Sequence, residues 1–348
     1  MSNGDSMEHT NRRVIVTPPF FDDEALAFLN ACRCDVEIVK WQDGRNEGAL
    51  TREQLAALLQ GADGWIVGHG VVTRELLAAL PDLKVLSRRG VGYERIDVAA
   101  VRDLGRVLTI GAGGNDASVA DHTIGLMLAV ARRLRESQER MLAGNLSILT
   151  SSDLYRKTVG IVGLGRIGKS VVQRLKGFEV TILAHHPRPD RGYGEANGIT
   201  YVDMPTLLRL SDYVTVHTPL TPETRFLIDA AALQLMKSGA ILVNTARGGL
   251  VDDRALLHAL KEGQIAGAGL DVFVSEGVPD FKAVTLELVS LANVVATPHA
   301  AASSLEGLAR TNMVAAKCVV AVLDGVAPPH GCVIADGRPR TTTKMGAS

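Results

Sequence analysis

Three residues near the end of this 348-residue chain combine a fixed cation, a carboxylate and a titratable imidazole: Arg247, Glu276 and His299. Arg247 lies in Asn244-Thr245-Ala246-Arg247-Gly248, directly after the apolar run 240–243. Glu276 closes the segment Leu270-Asp271-Val272-Phe273-Val274-Ser275-Glu276, and His299 closes Ala296-Thr297-Pro298-His299. Each follows an apolar run that reads as a buried parallel strand. In open α/β sheets, ligands bind beyond the carboxyl ends of such strands. An imidazole titrates near neutral pH and suits proton transfer, while a guanidinium fork suits a planar carboxylate. Upstream, Gly163-Leu164-Gly165-Arg166-Ile167-Gly168 stands between a buried strand and a helix expected over 166–178. In that context Gly163 permits a tight turn, Gly165 lets backbone approach a pyrophosphate, and Gly168 lets helix and strand pack closely. The helix start at Arg166 and Ile167 adds N–H donors and a positive dipole end. Together these residues predict hydride transfer to a small carboxylate-bearing substrate from a nicotinamide dinucleotide.

The end of the second strand after such a fingerprint selects the cofactor, because an acidic residue there holds the ribose 2′-OH of NAD. Here the run 180–184 is followed by His185-His186-Pro187-Arg188, with no carboxylate. A carboxylate would repel a 2′-phosphate, whereas His186 and Arg188 would not. The expected cofactor is therefore NAD(P), with NADP favoured over NAD.

The elements that carry these residues alternate strand and helix. One series runs through strands near 13–17, 36–39, 64–67, 83–86 and 108–110, with helices at 21–31, 51 onward and 73–80. A long helix is expected over 116–140, its nearly continuous apolar stretch 124–130 mostly buried. A second series has strands near 158–162, 180–183, 213–216, 241–243, 268–270 and 294–296, and a last helix spans 305–323. Alternation of this kind implies parallel sheets covered on both faces. The expected fold is α/β with two doubly wound parallel-sheet domains, a Rossmann cofactor domain and a flavodoxin-like substrate domain. Residues 12–112 and 304–335 are assigned to the substrate domain, 113–303 to the dinucleotide-binding domain and 336–348 to a flexible tail. Residues 1–11 read as a disordered leader.

Composition narrows the class. Lys and Arg (37) balance Asp and Glu (38), so no global basic field points to nucleic acid or anionic membrane. No apolar stretch approaches the roughly 20 residues of a membrane span. The four cysteines, Cys32, Cys34, Cys318 and Cys332, lack framework or zinc spacing and read as free thiols of a cytoplasmic protein. No metal site is expected.

Ordered along the chain, Gly90-Val91-Gly92-Tyr93 with Ile96-Asp97, the Gly163–Gly168 fingerprint, His217-Thr218-Pro219-Leu220-Thr221 and the segments around Arg247, Glu276 and His299 resemble the D-isomer-specific 2-hydroxyacid dehydrogenase family. The resemblance runs from about Val14 to Val333. It implies that His299 is the general acid/base, that Glu276 orients it, and that Arg247 binds the keto acid. It further implies that Val91 and Gly92 hold the substrate carboxylate. His217, Thr218, Pro219, Thr224, Thr245, Ala246, Asp271 and Ala301 would join the fingerprint residues on the cofactor side. The implied substrate is a small 2-keto or 2-hydroxy acid such as glyoxylate, hydroxypyruvate or pyruvate, bound between the domains of a homodimer. Two alternatives stay open. Arg88 and Arg89 would serve a D-3-phosphoglycerate dehydrogenase lacking a regulatory domain, and a corepressor-like protein would sense cofactor without turnover. Gly277 stands where the family often has proline.

Overall fold

The computed structural model describes residues 12–41 and 46–339. The expected leader and the tail beyond Pro339 lie outside the described residues. The chain divides into two compact units, one running to Asn115 and resuming at Leu305, the other Asp116–Ser304.

The first unit holds β1 (Arg12–Val16), β2 (Cys34–Ile38), β3 (Gly64–Val67), β4 (Val85–Arg88), β5 (Val107–Ile110) and, from the end of the chain, β13 (Val333–Asp336). Their order is β13-β5-β4-β3-β1-β2. The first five strands are mutually parallel in the flavodoxin-like order, and β13 is an antiparallel edge. β3 and β5 are buried at all four positions because helices cover both faces. One face packs Leu55, Leu76, Leu77 and Val101; the other packs Leu29 with Ala315, Ala316 and Val319 of the helix Leu305–Leu323. Helix starts follow their capping residues. Asp22 accepts the Ala25 N–H, and Thr51 and Gln54 form a reciprocal capping box.

The second unit is a seven-stranded parallel sheet: β6 (Thr158–Val162), β7 (Thr181–His185), β8 (Ile199–Tyr201), β9 (Tyr213–Val216), β10 (Ile241–Asn244), β11 (Gly267–Leu270) and β12 (Val294–Ala296). The order β12-β11-β10-β9-β6-β7-β8 is the Rossmann order extended by one strand. Strand order reverses between β6 and β9, the switch point beyond whose carboxyl edge such sheets bind ligands. The helices Asp116–Ala131 and Arg166–Leu175 pack on one face around Met127, Val171 and Ile161. The other face is filled by Leu207, Leu233, Leu256 and Leu288.

Four expectations need correction. The helix expected over 116–140 is two helices, Asp116–Ala131 and Leu134–Leu142. Arg133 breaks it in the left-handed region at φ 50°, its guanidinium gripping both Glu136 oxygens at 2.9 Å. Arg, Glu and Gln are good helix formers, so local propensity conceals the break. The helix after the fingerprint ends at Leu175 and continues only as a 3-10 turn to Phe178. β8 and β13 lie outside the expected strands: one is three residues long, the other an antiparallel edge whose apolar run, Val333-Ile334-Ala335, is equally short. Asp336, placed with the tail, closes β13, and the Gly337 N–H donates to the Arg106 carbonyl at 2.8 Å.

Candidate active site

At the carboxyl end of β6 the three glycines do three different things. Gly163 has φ 96°, and a Cβ there would lie 2.4 Å from the His217 carbonyl oxygen. A Cβ on Gly168 would lie 2.4 Å from the Gly163 carbonyl oxygen, so helix and strand loop touch backbone to backbone. A Cβ on Gly165 would meet nothing within 4 Å. Gly165 is also the N-cap of the helix Arg166–Leu175, and no side chain caps it. Strand packing thus demands two of the glycines, while the third faces open space at a helix start with unspent N–H donors. A pyrophosphate fits that combination. Arg166 is exposed at the first helical position and Ile167 is half-buried behind it.

Across the switch point, His217 follows β9 and its backbone N–H donates to the Val162 carbonyl at 2.7 Å. Its Nε2 lies 2.9 Å from the Thr215 hydroxyl, and its buried Nδ1 has no partner among the described residues. Burial pushes its pKa down to about 3, so the ring is neutral at working pH. Thr224 accepts the Thr221 N–H at 2.7 Å and donates to the Pro219 carbonyl at 2.7 Å, closing the loop that carries Thr218 and Pro219.

His186 is the first residue beyond β7. Its Nδ1 accepts the backbone N–H of exposed Arg188 at 3.1 Å. A nitrogen that accepts carries no proton, so the neutral ring bears its N–H at Nε2. The next carboxylate along the chain, Asp190, is committed elsewhere: it accepts Lys169 Nζ at 2.7 Å and the Tyr193 N–H at 3.1 Å. Those bonds hold its carboxyl below the ordinary range, Lys169 contributing most.

Farther along the same edge, Arg247, Glu276 and His299 come from the loops after β10, β11 and β12. The Asn244 side chain shapes the first loop, accepting the Ala246 N–H and donating to the Arg247 carbonyl, both at 3.0 Å. Arg247 Nη1 donates to the Ala246 carbonyl at 2.6 Å. A Cβ on Gly248 would fall 2.0 Å from the Phe273 carbonyl oxygen, so that loop runs against the backbone leading to Glu276. Glu276 spends one oxygen on the Phe273 N–H at 2.8 Å, and the other lies 2.6 Å from His299 Nδ1. Burial acts to raise the Glu276 pKa, yet the His299 bond and charge, the Phe273 N–H and the Arg247 charge outweigh it and hold it low. His299 therefore donates from Nδ1 to a charged carboxylate, and Nε2 is the nitrogen left facing outward on a half-exposed ring.

The loop carrying His299 is anchored from below. Asp271 is fully buried, and its carboxylate accepts the Thr297 hydroxyl at 2.5 Å, the Ala300 N–H at 2.7 Å and the Ala301 N–H at 2.9 Å. The oxygens of Asp271 thus bind the 297–301 loop, the segment that carries His299. Thr245 likewise turns its hydroxyl inward, 2.9 Å from Thr123, leaving backbone at the site. His122 joins this anchor, a residue the sequence pattern does not single out. Its Nε2 lies 2.9 Å from the Thr297 hydroxyl and 3.6 Å from Asp271. A polar ring opening an otherwise apolar helical stretch was the available signal.

Val91 and Gly92 belong to the first unit, in the loop after β4, both half-buried. Beside them Arg89 donates to the Pro19 carbonyl, and burial lowers its pKa against the opposing charge of Glu47. Among the described residues no cluster of His, Cys, Asp and Glu could hold a metal ion, and no helix is long and apolar enough to cross a membrane.

Comparison with known proteins gives the site its context. The family model for the D-isomer specific 2-hydroxyacid dehydrogenase NAD binding domain matches residues 124–301, more than half of the chain. The D-3-phosphoglycerate dehydrogenase of Methanocaldococcus jannaschii is 37% identical over 317 residues, 90% of this chain and 58% of that protein. The glyoxylate reductase of Thermofilum pendens is 38% identical over 317 residues, covering 88% of this chain and 90% of its own length. The crystal structure of the TT0316 protein of Thermus thermophilus superposes with a TM-score of 0.81 at 34% identity, over 92% of this chain and 99% of that one. The chain thus spans less than two thirds of the phosphoglycerate dehydrogenases it matches but nearly all of the glyoxylate reductase.

Proposed function

Because the chain belongs to the D-isomer specific 2-hydroxyacid dehydrogenase family, we propose that it interconverts a small 2-keto acid and its D-2-hydroxy acid with a nicotinamide cofactor. The observation that carries this reading is the 2.6 Å His299–Glu276 pair, at the edge of the same sheet whose switch point presents the glycine cradle. The unit Asp116–Ser304 takes the dinucleotide, and the first unit takes the substrate role.

When bound, the cofactor supplies the hydride that reduces the keto carbon. The residues do the rest. Charged Glu276 keeps a proton on His299 Nδ1, so Nε2 is the nitrogen that faces the substrate and, in the imidazolium form, gives its proton to the keto oxygen. In the oxidative direction the same nitrogen takes the hydroxyl proton back. Arg247 offers a planar fork to the substrate carboxylate and stabilises negative charge developing on the carbonyl oxygen. Asp271 keeps the 297–301 loop, and hence the ring, in place.

NADP is the favoured cofactor. His186 presents an Nε2 donor, Arg188 adds a cation, and Asp190 is tied to Lys169 rather than offered to a ribose 2′-OH. The test is reduction of glyoxylate, hydroxypyruvate and pyruvate with NADPH and with NADH. Arg188→Ala is expected to raise the KM for NADPH about tenfold and leave that for NADH within about twofold, as loss of one charged contact to a phosphate does. Equal effects on both cofactors would discard the NADP reading.

D-3-phosphoglycerate is a second substrate reading, supported by the names of several relatives and by Arg88 and Arg89 beside the Val91–Gly92 turn. Under it, Arg89→Ala raises the KM for a phosphorylated substrate far more than that for glyoxylate. A homodimer is the proposed assembly. Leu142 at the end of the helix Leu134–Leu142 and Leu146 and Ile148 on the segment before β6 are 76–97% exposed, more apolar surface than a lone arm leaves in water.

A further inference from the structure

Asp253 is a buried carboxylate that leaves the capping of its own helix to its neighbour. The helix Asp253–Lys261 is capped by Asp252, which accepts the Arg254 and Ala255 N–H groups at 2.9 and 3.3 Å. Asp253, only 3% exposed, instead reaches across to the Val274 N–H at 2.9 Å. Val274 opens the three-residue turn Val274–Glu276. One turn is therefore held by two carboxylates: Asp253 on the Val274 N–H and Glu276 on the Phe273 N–H. The Gly248 backbone also presses against the Phe273 carbonyl and Val274 nitrogen. The Glu276 carboxylate has little room to move once these contacts are made.

We propose that Asp253 is a positioning residue for the proposed reaction, fixing the Glu276 turn and placing its negative charge beside the Glu276–His299 pair. The proposal rests on the functional reading above, because it acts through Glu276 on His299.

The charges facing this turn come from four elements. Asp252 lies on Asp253's own helix, Glu276 on the turn, Arg247 on the loop after β10 and His299 on the loop after β12. Burial, then the charges of Asp252 and Glu276, push Asp253 up to about 6 against the pull of the Val274 N–H. Glu276 is held low. When two neighbouring carboxylates are pushed apart in this way, they divide the roles. Glu276 stays charged as the partner of His299, and Asp253 is the group that takes up a proton as the solution turns mildly acidic.

The test compares Asp253→Asn and Asp253→Ala with the wild-type chain. Asparagine keeps an acceptor for Val274 and removes the charge; alanine removes both. The first readout is the His299 imidazole titration by NMR, its resonance assigned by its absence in His299→Asn. The Asp253→Asn midpoint is expected about half a pH unit below wild type, the size of a partly screened charge near the Glu276 carboxylate. The second readout is kcat at the pH optimum. It is expected to fall about tenfold or more in Asp253→Ala and to recover to within about threefold of wild type in Asp253→Asn, with dinucleotide binding unchanged in both. An unmoved His299 midpoint in Asp253→Asn would overturn the proposal, as would wild-type kcat in Asp253→Ala. Should the alanine variant not fold, the asparagine midpoint decides. The titration needs no turnover, so a chain inactive on every 2-keto acid would count against the functional reading and still leave this measurement intact.

Discussion

His299 is held at both ends of its side chain's support: its backbone, at φ 53°, donates its N–H to the Asp271 carbonyl, and its Nδ1 lies 2.6 Å from Glu276. The left-handed backbone is uncommon for a non-glycine residue and costs about 1–3 kcal/mol, here met by the three donors that converge on Asp271. Glu276→Gln keeps an acceptor but loses the negative charge beside the ring. It is expected to lower kcat about 10- to 100-fold and move the basic limb of the reduction profile to lower pH. A profile superimposable on wild type would show that the pair is not the proton donor. Asp253 makes a separate prediction for stability. Its folded pKa of about 6 lies above the usual 3.8, so the folded state binds its proton more tightly than the unfolded state does. Stability therefore falls as pH rises from about 4 to about 6 and stays reduced above. Removing the charge in Asp253→Asn should stabilise the fold at pH 7 by about 1–3 kcal/mol and leave it unchanged near pH 4, read from denaturant midpoints.

At the scale of the element, the glycine turn after β6 separates what folding needs from what a ligand needs. Gly163→Ala and Gly168→Ala would each drive a methyl into backbone and should lower stability by roughly 2 kcal/mol or more. Gly165→Ala meets only open space and should melt like wild type, yet weaken dinucleotide binding about tenfold by crowding the pyrophosphate. Loss of stability without loss of binding at Gly165 would contradict the cradle. This contrast also shows what was legible beforehand. Buried parallel strands are continuous apolar runs, so β6, β9, β10 and β11 could be placed within a residue or two. The positions of Arg247, Glu276 and His299 followed, since each simply leaves such a strand. Contacts between elements left no local signal. Nothing in the spacing showed that Asp271 spends its oxygens on Ala300 and Ala301, that His122 reaches Thr297, or that Asp253 reaches Val274. The break at Arg133 was hidden for a related reason: Glu136 and the Thr150 carbonyl hold it, one three residues away and the other seventeen.

At the scale of the molecule, the two units use the same doubly wound plan with different strand orders, flavodoxin-like in the first and Rossmann in the second. The apolar segment at Leu142, Leu146 and Ile148 predicts association, with sedimentation at micromolar concentration giving a dimer and Ile148→Asp shifting it towards monomer. A monomeric wild-type chain at that concentration would remove the dimer from the account. The central claim is that His299 moves the proton. The most direct measurement is steady-state reduction of glyoxylate by wild type and by His299→Asn, with dinucleotide binding of both followed by fluorescence. The account predicts at least about a 100-fold loss of kcat with binding intact. A His299→Asn variant that binds the dinucleotide and turns over near the wild-type rate would contradict it.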